Sequence, residues 1–335
     1  MSRQAVIKII FIIIVPALLI AVGWFANDWY RQHDQKTEKR IKLSGFNYIS
    51  PLIDVELPEG YNVQHEPIKF EQKVKNFVDQ QLQSGNVKEM SVYYRDLSDG
   101  PWFGINEKVQ YNPASMMKVA VMIAWLKRVE RDASVLQHKF VFHEKDRPIP
   151  EQSYKPKQTL KDGASYTVDE LLRYMINFSD NRALSVLHFA LAPEELTNVL
   201  NNMDVINTVV GEENSITAHG FSGFFRVLYN ASFLNKEMSE KALKLMSSDD
   251  FPYGISAGVP KGTRISSKFG EYLDEKNPAK YQLHEFGIVY HPKGPYILGI
   301  LTRGNNWKIQ ADIIKSVSEI VYDSVNSSAT DGYKK

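Results

Sequence analysis

The amino-acid sequence predicts an α+β protein that is preceded by one transmembrane helix. Residues 9–26 form an apolar run without a charged residue. Stretches rich in aromatic and β-branched residues, which is typical of strands, lie near 90–106 and 264–304. Between them the hydrophobic residues follow the spacing of amphipathic helices. Strands therefore flank a helical middle, and turn sequences inside both strand regions predict antiparallel hairpins.

The run at 9–26 is long enough to cross the apolar core of a bilayer. Arg3 and Lys8 precede it, and Trp24 lies at its far end, where aromatic rings favour the membrane interface. No clear small-x-small cleavage site follows, so we predict an uncleaved anchor rather than a signal peptide. Positive residues occur on both sides and do not decide the orientation. We expect a single-pass cell-membrane protein whose residues 1–8 are cytoplasmic and whose main domain is extracytoplasmic.

Composition shifts divide the rest of the chain. A mixed-charge stretch and a connector with prolines and glycines predict a stalk over residues 27–65. The main domain is predicted to cover 66–325, and a polar tail covers 326–335.

Composition also excludes several kinds of function. The 335 residues include no cysteine, which excludes disulfides, thiol nucleophiles and cysteine metal sites. A net charge of +1 gives no electrostatic reason to expect a nucleic-acid partner. The eight histidines form no His-Glu-x-x-His motif, so we predict neither a metal site nor a cofactor.

The elements of the main domain follow from periodicity, caps and turns. Hydrophobic spacing predicts a helix over 69–83, and Ser98–Gly100 predicts the turn of the first hairpin. A capping box formed by Thr167 and Glu170 marks the start of another helix, whereas 127–165 is predicted to be irregular. Four more helices are predicted in the segments 179–191, 192–203, 219–234 and 238–246. A strand over 262–272, a hairpin over 284–304 and a final helix over 309–325 follow.

A serine and a lysine lie three residues apart where a loop is predicted to turn into an apolar helix. Ser115 and Lys118 would share one helix face, within reach of each other. If apolar neighbours desolvate the lysine, its pKa falls and a neutral amine becomes available to deprotonate the serine. The helix N-terminus would also stabilise a developing oxyanion. For the motif taken alone, a helix cap and a snorkelling lysine are the favoured interpretation.

Two further short motifs follow in the chain. Ser179–Asp180–Asn181 lies at a junction between two predicted helices, and Lys268–Phe269–Gly270 lies on a predicted strand. Each alone fits a helix cap or an ordinary edge-strand lysine. In this order, the three motifs resemble the serine β-lactamase and penicillin-binding-protein superfamily, whose signature is S-x-x-K, S-D-N and K-T-G. The resemblance covers residues 70–325 and is greatest to class A β-lactamases.

The resemblance implies an antiparallel sheet with helices on both sides, an all-helical subdomain, and a cleft between them. It implies that Ser115 is the nucleophile, which forms an acyl-enzyme. Lys118 would be its base or orient the base, and Ser179 would pass a proton to the leaving nitrogen.

The resemblance also implies four substrate-binding residues. Asn181 would hold a substrate amide and position Lys118. Lys268 would raise the local positive potential and anchor Ser179 or a substrate carboxylate. Gly270 would leave room for substrate along the strand, and the N–H groups of Glu271 and Ser115 would form the oxyanion hole.

Two features depart from the family pattern. Phe269 stands where the family has a threonine or serine whose hydroxyl helps to bind a carboxylate. The loop that carries a deacylating glutamate in class A β-lactamases is also short, and Glu212 and Glu213 are the only acids near its place. We interpret these two glutamates as loop charges, and we expect slow hydrolysis of an acyl-enzyme.

The leading hypothesis is a membrane-anchored serine hydrolase of the penicillin-binding or D,D-peptidase type. Its expected partners are a peptidoglycan-type peptide or a β-lactam. One alternative is a non-catalytic cell-envelope binding protein that retains the fold. Another is an active class A-like β-lactamase, which would need Glu212 or Glu213 as the base.

Overall fold

A computed structural model provides the coordinates of the chain. It describes residues 39–42, 45–56, 68–98, 100–146, 149, 152, 154–203, 215–273 and 281–328. The predicted anchor at 9–26 lies outside these residues. Within them, no helix combines the length and the apolar character needed to cross a membrane.

The described residues form eight α-helices and nine β-strands. The helices are α1 (Glu71–Gln83), α2 (Lys118–Val129), α3 (Val168–Asn177), α4 (Asn181–Phe189), α5 (Pro193–Met203), α6 (Ala218–Tyr229), α7 (Lys236–Met246) and α8 (Trp307–Ser328). The strands are β1 (Lys39–Lys42), β2 (Leu52–Glu56), β3 (Glu89–Asp96), β4 (Trp102–Ile105), β5 (Lys139–Val141), β6 (Ser165–Thr167), β7 (Ile265–Tyr272), β8 (Tyr281–Val289) and β9 (Tyr296–Gly304).

Five strands form one antiparallel sheet in the order β4-β3-β9-β8-β7. This confirms the predicted antiparallel sheet and both of its predicted hairpins. The second hairpin turns at Gly294, whose φ of 137° lies in a region that glycine adopts easily. Strand β7, which carries the third motif, lies at an edge of the sheet.

Helices cover both faces of the sheet, as the sequence predicted. On one face, Tyr94 and Leu298 pack in a core with residues of α1 and α8. On the other face, Tyr93 and Phe286 belong to a larger core that includes α2, α3 and α6. Neighbouring strand residues point to opposite faces, so Tyr93 and Tyr94 enter different cores.

Helix α2 lies inside the larger core. Its residues from Lys118 to Leu126 are all buried, as the apolar sequence after Lys118 indicated. The prediction of an irregular segment at 127–165 was wrong in part, because β5 pairs with β6 there. These strands are only three residues long, too short to show a clear alternating pattern.

The predicted stalk contains two different kinds of structure. Strands β1 and β2 pair as an antiparallel ribbon in a compact unit of their own. Residues 45–51 belong to the same compact unit as the main domain. The carboxylate of Glu240 accepts hydrogen bonds from the N–H groups of Asn47, Tyr48 and Ile49 at 2.8, 3.0 and 3.1 Å. The division of the chain into stalk, domain and tail stays a prediction.

Candidate active site

Ser115 lies on a short 3-10 turn, Ala114–Met117, that leads into α2. The sequence predicted that an α-helix could begin at Ser115, whereas α2 begins at Lys118. Ala114 has a φ of 48°, in the left-handed region, and its N–H donates to Asn112 Oδ1 at 2.9 Å. An asparagine side chain that bonds the backbone two residues later stabilises a tight turn.

Two side chains of β8 hold the backbone just before this turn. Gln282 Oε1 accepts the N–H of Asn112 at 3.0 Å, and His284 Nε2 lies 3.2 Å from the Asn112 carbonyl oxygen. The N–H of Thr302 donates to His284 Nδ1 at 3.2 Å, so Nε2 carries the proton and donates to Asn112. Burial lowers the pKa of His284 to about 3, which keeps the ring neutral.

Lys118 is the centre of a buried hydrogen-bond network. Its Nζ lies 3.0 Å from Ser115 Oγ, 3.0 Å from Ser179 Oγ, 2.6 Å from the Ser179 carbonyl oxygen and 2.8 Å from Asn181 Oδ1. The lysine is only 1% exposed. Residues of the first two motifs therefore meet around one amine.

The partners of Lys118 fit a neutral amine. The Ser179 carbonyl oxygen and Asn181 Oδ1 can only accept hydrogen bonds, and they use both N–H groups of a neutral amine. Its lone pair is then free to accept from the hydroxyl of Ser115 or Ser179. Burial, and next the positive charge of Lys268, hold the pKa of Lys118 well below its usual range.

Asp180 fixes the local conformation of the second motif through hydrogen bonds. Asp180 caps α4, since its Oδ1 accepts the N–H of Arg182 at 2.9 Å. Its Oδ2 accepts the N–H of Leu160 at 2.9 Å, which ties the cap to the segment before α3. Ser179 has a left-handed φ of 54°. This backbone conformation brings both oxygens of Ser179 to Lys118.

Lys268 is fully buried on β7 and has an acidic partner that the sequence analysis missed. Its Nζ donates to the Phe269 carbonyl oxygen at 3.1 Å and lies 4.0 Å from Asp249 Oδ1. Burial lowers the pKa of Lys268 and raises that of Asp249 to about 6. Asp249 lies outside all three motifs, so no sequence signal pointed to it. The predicted contact of Lys268 with Ser179 or a substrate carboxylate stays a prediction.

Gly270 lies where β7 touches the Ser115 turn. A Cβ at this position would lie 3.0 Å from the N of Met116 and 3.0 Å from the carbonyl oxygen of Pro113. The missing side chain therefore lets the strand approach the turn closely. This contact joins the third motif to the first.

The side chains on either side of Gly270 have partners of their own. Phe269 is 2% exposed, and its ring stacks on Phe251 with centroids 4.3 Å apart. Glu271 accepts the N–H of Tyr154 at 2.6 Å and the hydroxyl of Tyr281 at 2.8 Å. Tyr154 and Phe251 were not predicted as site residues.

Two other expectations concern this site. The described residues contain no group of histidines and acids that could hold a metal ion. Glu212 and Glu213 lie outside the described residues. The roles predicted for the seven candidate site residues, from nucleophile to oxyanion hole, also stay predictions.

Comparison with solved structures identifies a shared fold. A β-lactamase from Sphaerobacter thermophilus superimposes with a TM-score of 0.67 and 18% identity, over 78% of this chain and 98% of that one. A β-lactamase from Xanthomonas campestris gives 0.65 and 18%, over 77% and 100% of the two chains. A PBP-A variant, solved as an acyl-enzyme complex with penicillin G, gives 0.64 and 19%, over 78% and 99%.

Comparison of sequences identifies a family, although not an individual relative. No curated protein matches the sequence. The profile of the beta-lactamase enzyme family matches residues 69–325, which is most of the chain. This span contains all three motifs and the whole region, 70–325, over which the sequence resembled the serine β-lactamase and penicillin-binding-protein superfamily. The chain belongs to the beta-lactamase enzyme family.

Proposed function

We propose that this protein is a serine hydrolase that reacts through an acyl-enzyme at Ser115, and that it releases β-lactam products slowly. One observation carries the proposal. Lys118 Nζ, only 1% exposed, lies 3.0 Å from Ser115 Oγ and also bonds Ser179 and Asn181. A buried amine next to a hydroxyl, with its N–H groups held by fixed acceptors, is an arrangement that can accept the proton of a nucleophile.

In the proposed reaction, Ser115 Oγ attacks a substrate carbonyl carbon while Lys118 accepts its proton. The N–H groups of Ser115 and Glu271 would stabilise the negative oxygen that forms. Ser179, whose hydroxyl lies 3.0 Å from Lys118, would pass the proton to the leaving nitrogen or oxygen. The balanced result is an ester on Ser115 and a protonated leaving group.

Slow deacylation is proposed because the chain between Ser179 and Lys268 is short by family standards and has only Glu212 and Glu213 near the place of the class A water-activating base. The motif residues near Ser115 are already committed to Lys118 or to the backbone. An active β-lactamase would need Glu212 or Glu213 to supply that base. Peptidoglycan-type peptides, or β-lactams that resemble them, remain the proposed substrate class.

The proposed location is the outer side of the cell membrane, with residues 9–26 as the anchor. The uncharged length of this run supports the proposal. Fractionation of cells that express the full chain, with and without residues 1–26, tests it. Recovery of the full chain in the soluble fraction would contradict anchoring.

Acylation of Ser115 tests the proposed chemistry. The full chain in detergent is incubated with a fluorescent penicillin and with a neutral activated ester, and its intact mass is followed over time. A stable adduct that is lost in Ser115→Ala supports an acyl-enzyme with slow deacylation. Rapid turnover of penicillin indicates a β-lactamase instead.

A second candidate is a non-catalytic binding protein that retains the fold. The complete burial of Lys268 beside Asp249 favours it, because a buried and paired ammonium attracts a substrate anion less. The absence of any adduct with both acylating probes, in a folded protein, would favour this candidate.

A further inference from the structure

On the edge of β7 beside Ser115, the side chains of Lys268, Phe269 and Glu271 all have partners inside the protein. Gly270 lies against the Ser115 turn, so Phe269 and Glu271 flank the contact between strand and turn. A substrate that reacts with Ser115 and lies along this edge would meet the backbone of Lys268, Phe269 and Glu271 and any side-chain atoms that these residues expose. The contacts of these three residues therefore indicate which chemical group the edge can accept.

Phe269 offers no hydrogen bond from its side chain and forms part of an aromatic cluster. Its ring stacks on Phe251, and the ring of Tyr154 packs edge-on against both, with centroids 5.2 and 5.6 Å away. Tyr253 extends this cluster and is 49% exposed. Leu273, one residue beyond the end of β7, is 48% exposed. Tyr253 thus brings the aromatic cluster to the surface, and Leu273 adds an exposed apolar side chain just after the strand.

The charge of Lys268 is already matched inside the protein. Its Nζ lies 4.0 Å from an Asp249 carboxylate oxygen and 4.0 Å from the centre of the Phe269 ring. The side chain is 0% exposed. A substrate carboxylate would have to displace these contacts before it could pair with the ammonium.

Glu271 adds an acidic side chain at the same edge. Its two carboxylate oxygens are fixed by the N–H of Tyr154 and the hydroxyl of Tyr281. A fixed carboxylate repels a second carboxylate close to it, which is a way of excluding one class of ligand.

We infer that the substrate presents an uncharged, apolar group to the edge of β7, and that this site selects against a carboxylate there. Within the proposed substrate class, this favours an ester or amide whose group at this edge is uncharged and whose acyl carbon bonds to Ser115 Oγ while its leaving group departs with the serine proton. The step needs no other reactant. This inference rests on the proposed acyl-enzyme function.

A matched pair of probes tests the inference. In penicillin G methyl ester, one added methyl group removes the charge of the carboxylate, and the rest of the molecule is unchanged. The second-order rate of Ser115 acylation is measured for each by intact mass and is divided by the rate of hydrolysis of the same probe in buffer. We expect the methyl ester to react about tenfold faster on this scale, since it avoids repulsion by Glu271.

Two variants locate the cause of the preference. Glu271→Gln keeps the shape of the side chain and removes its charge, and we expect it to lower the ester-to-acid ratio by roughly fivefold. The control is Glu237→Gln, an exposed acid in the first turn of α7, which should leave the ratio unchanged. An unchanged ratio in Glu271→Gln overturns the role given to Glu271.

The outcomes separate this inference from the proposed function. Equal or faster acylation by penicillin G overturns the preference for an uncharged group and leaves the acyl-enzyme intact. The absence of an adduct with both probes, in protein whose folding is confirmed by circular dichroism, overturns both.

Discussion

The Nζ of Lys118 lies 2.6 Å from the carbonyl oxygen of Ser179, a residue 61 positions later in the chain. Ser179 has a left-handed φ of 54°, which is uncommon for a residue other than glycine. Asp180 fixes this conformation from the other side by capping α4. The second motif therefore caps a helix and also accepts hydrogen bonds from the buried amine of Lys118. The helix cap and the site motif, which were alternative interpretations of the sequence, are compatible.

Replacement of Lys118 by arginine is expected to abolish acylation of Ser115. Arginine stays charged and cannot accept a proton, so we expect a loss of about 10²- to 10⁴-fold in the acylation rate. In the wild type the rate should rise with pH through the Lys118 pKa, which burial places well below its usual range, and then level off. Intact-mass spectrometry of samples quenched at set times, over a range of pH values, measures both effects. A rate in Lys118→Arg equal to that of the wild type would contradict the base role.

The same lysine should give the protein a characteristic pH dependence of stability. Because the folded state favours the neutral amine, the unfolded chain binds more protons below 10.5, the ordinary pKa of a lysine side chain. The free energy of unfolding should therefore fall as the pH falls from 10.5 towards the folded-state pKa. Lys118→Met should lack this loss, as measured by urea unfolding. A parallel slope in both proteins would show that Lys118 is charged when folded.

For Glu285 we expect a pH dependence of stability with the opposite sign. It is buried, accepts hydrogen bonds from Ser267 Oγ and the N–H of Ile255, and burial raises its pKa from 4.5 to about 8. The folded state thus binds its proton more tightly, and the stability that this supplies is complete below pH 4.5 and is lost as the pH rises through about 8. Asp249 and Lys268 also act on this carboxyl.

Glu285→Gln removes the titrating group and keeps its approximate shape. We expect the wild type to lose at most roughly 1.4 kcal/mol for each pH unit between the two pKa values. The difference between the two proteins, measured by chemical unfolding, should therefore grow in favour of the glutamine variant up to about pH 8. A difference that does not change with pH would show that Glu285 is ionised in the folded protein.

Gly270→Ala should displace the turn that carries the nucleophile. A Cβ at this position would lie 3.0 Å from backbone atoms of Met116 and Pro113, which cannot move without the turn. We expect a loss of stability of about 1–3 kcal/mol, as for other overpacked sites, and slower acylation of Ser115. Thermal unfolding and the mass assay measure the two effects. Unchanged acylation in Gly270→Ala would show that the turn tolerates the shift.

Gln282→Met should weaken the support of the same turn from β8. The partly buried N–H of Asn112 would lose its acceptor, and the loss of a partner costs a fully buried N–H about 1–3 kcal/mol, which is an upper bound here. We expect acylation to slow although Gln282 touches neither Ser115 nor Lys118 in its described contacts. Gln72→Met, on the exposed side of α1, is the control. Equal effects of both changes would exclude a positioning role.

Glu240→Ala should loosen the attachment of residues 45–51 to helix α7. The side chain fixes three successive N–H groups from Asn47 to Ile49. Its loss should lower the free energy of unfolding by about 1–3 kcal/mol. It should also speed proteolytic cleavage within residues 45–51, as measured by limited proteolysis and mass mapping. Glu237→Ala, on the first turn of the same helix, is the control and should leave cleavage unchanged.

The sequence by itself determined most of the local structure and the three motifs. Helix periodicity, the Thr167–Glu170 capping box and the hairpin turns depend on neighbouring residues, and the structure contains each of them. The capping box shows both of its hydrogen bonds. The order of the motifs also identified the family.

Only the tertiary structure decided what surrounds the motifs. Asp249, Tyr154 and Glu285 reach the neighbourhood of Lys268 and Phe269 from distant parts of the chain, and none of them lies in a recognisable pattern. Their effect depends on burial and distance, which no local spacing encodes. The state of Lys118 is decided in the same way: its sequence position predicts a helix face, whereas the pKa depends on the loss of water and on the charge of Lys268.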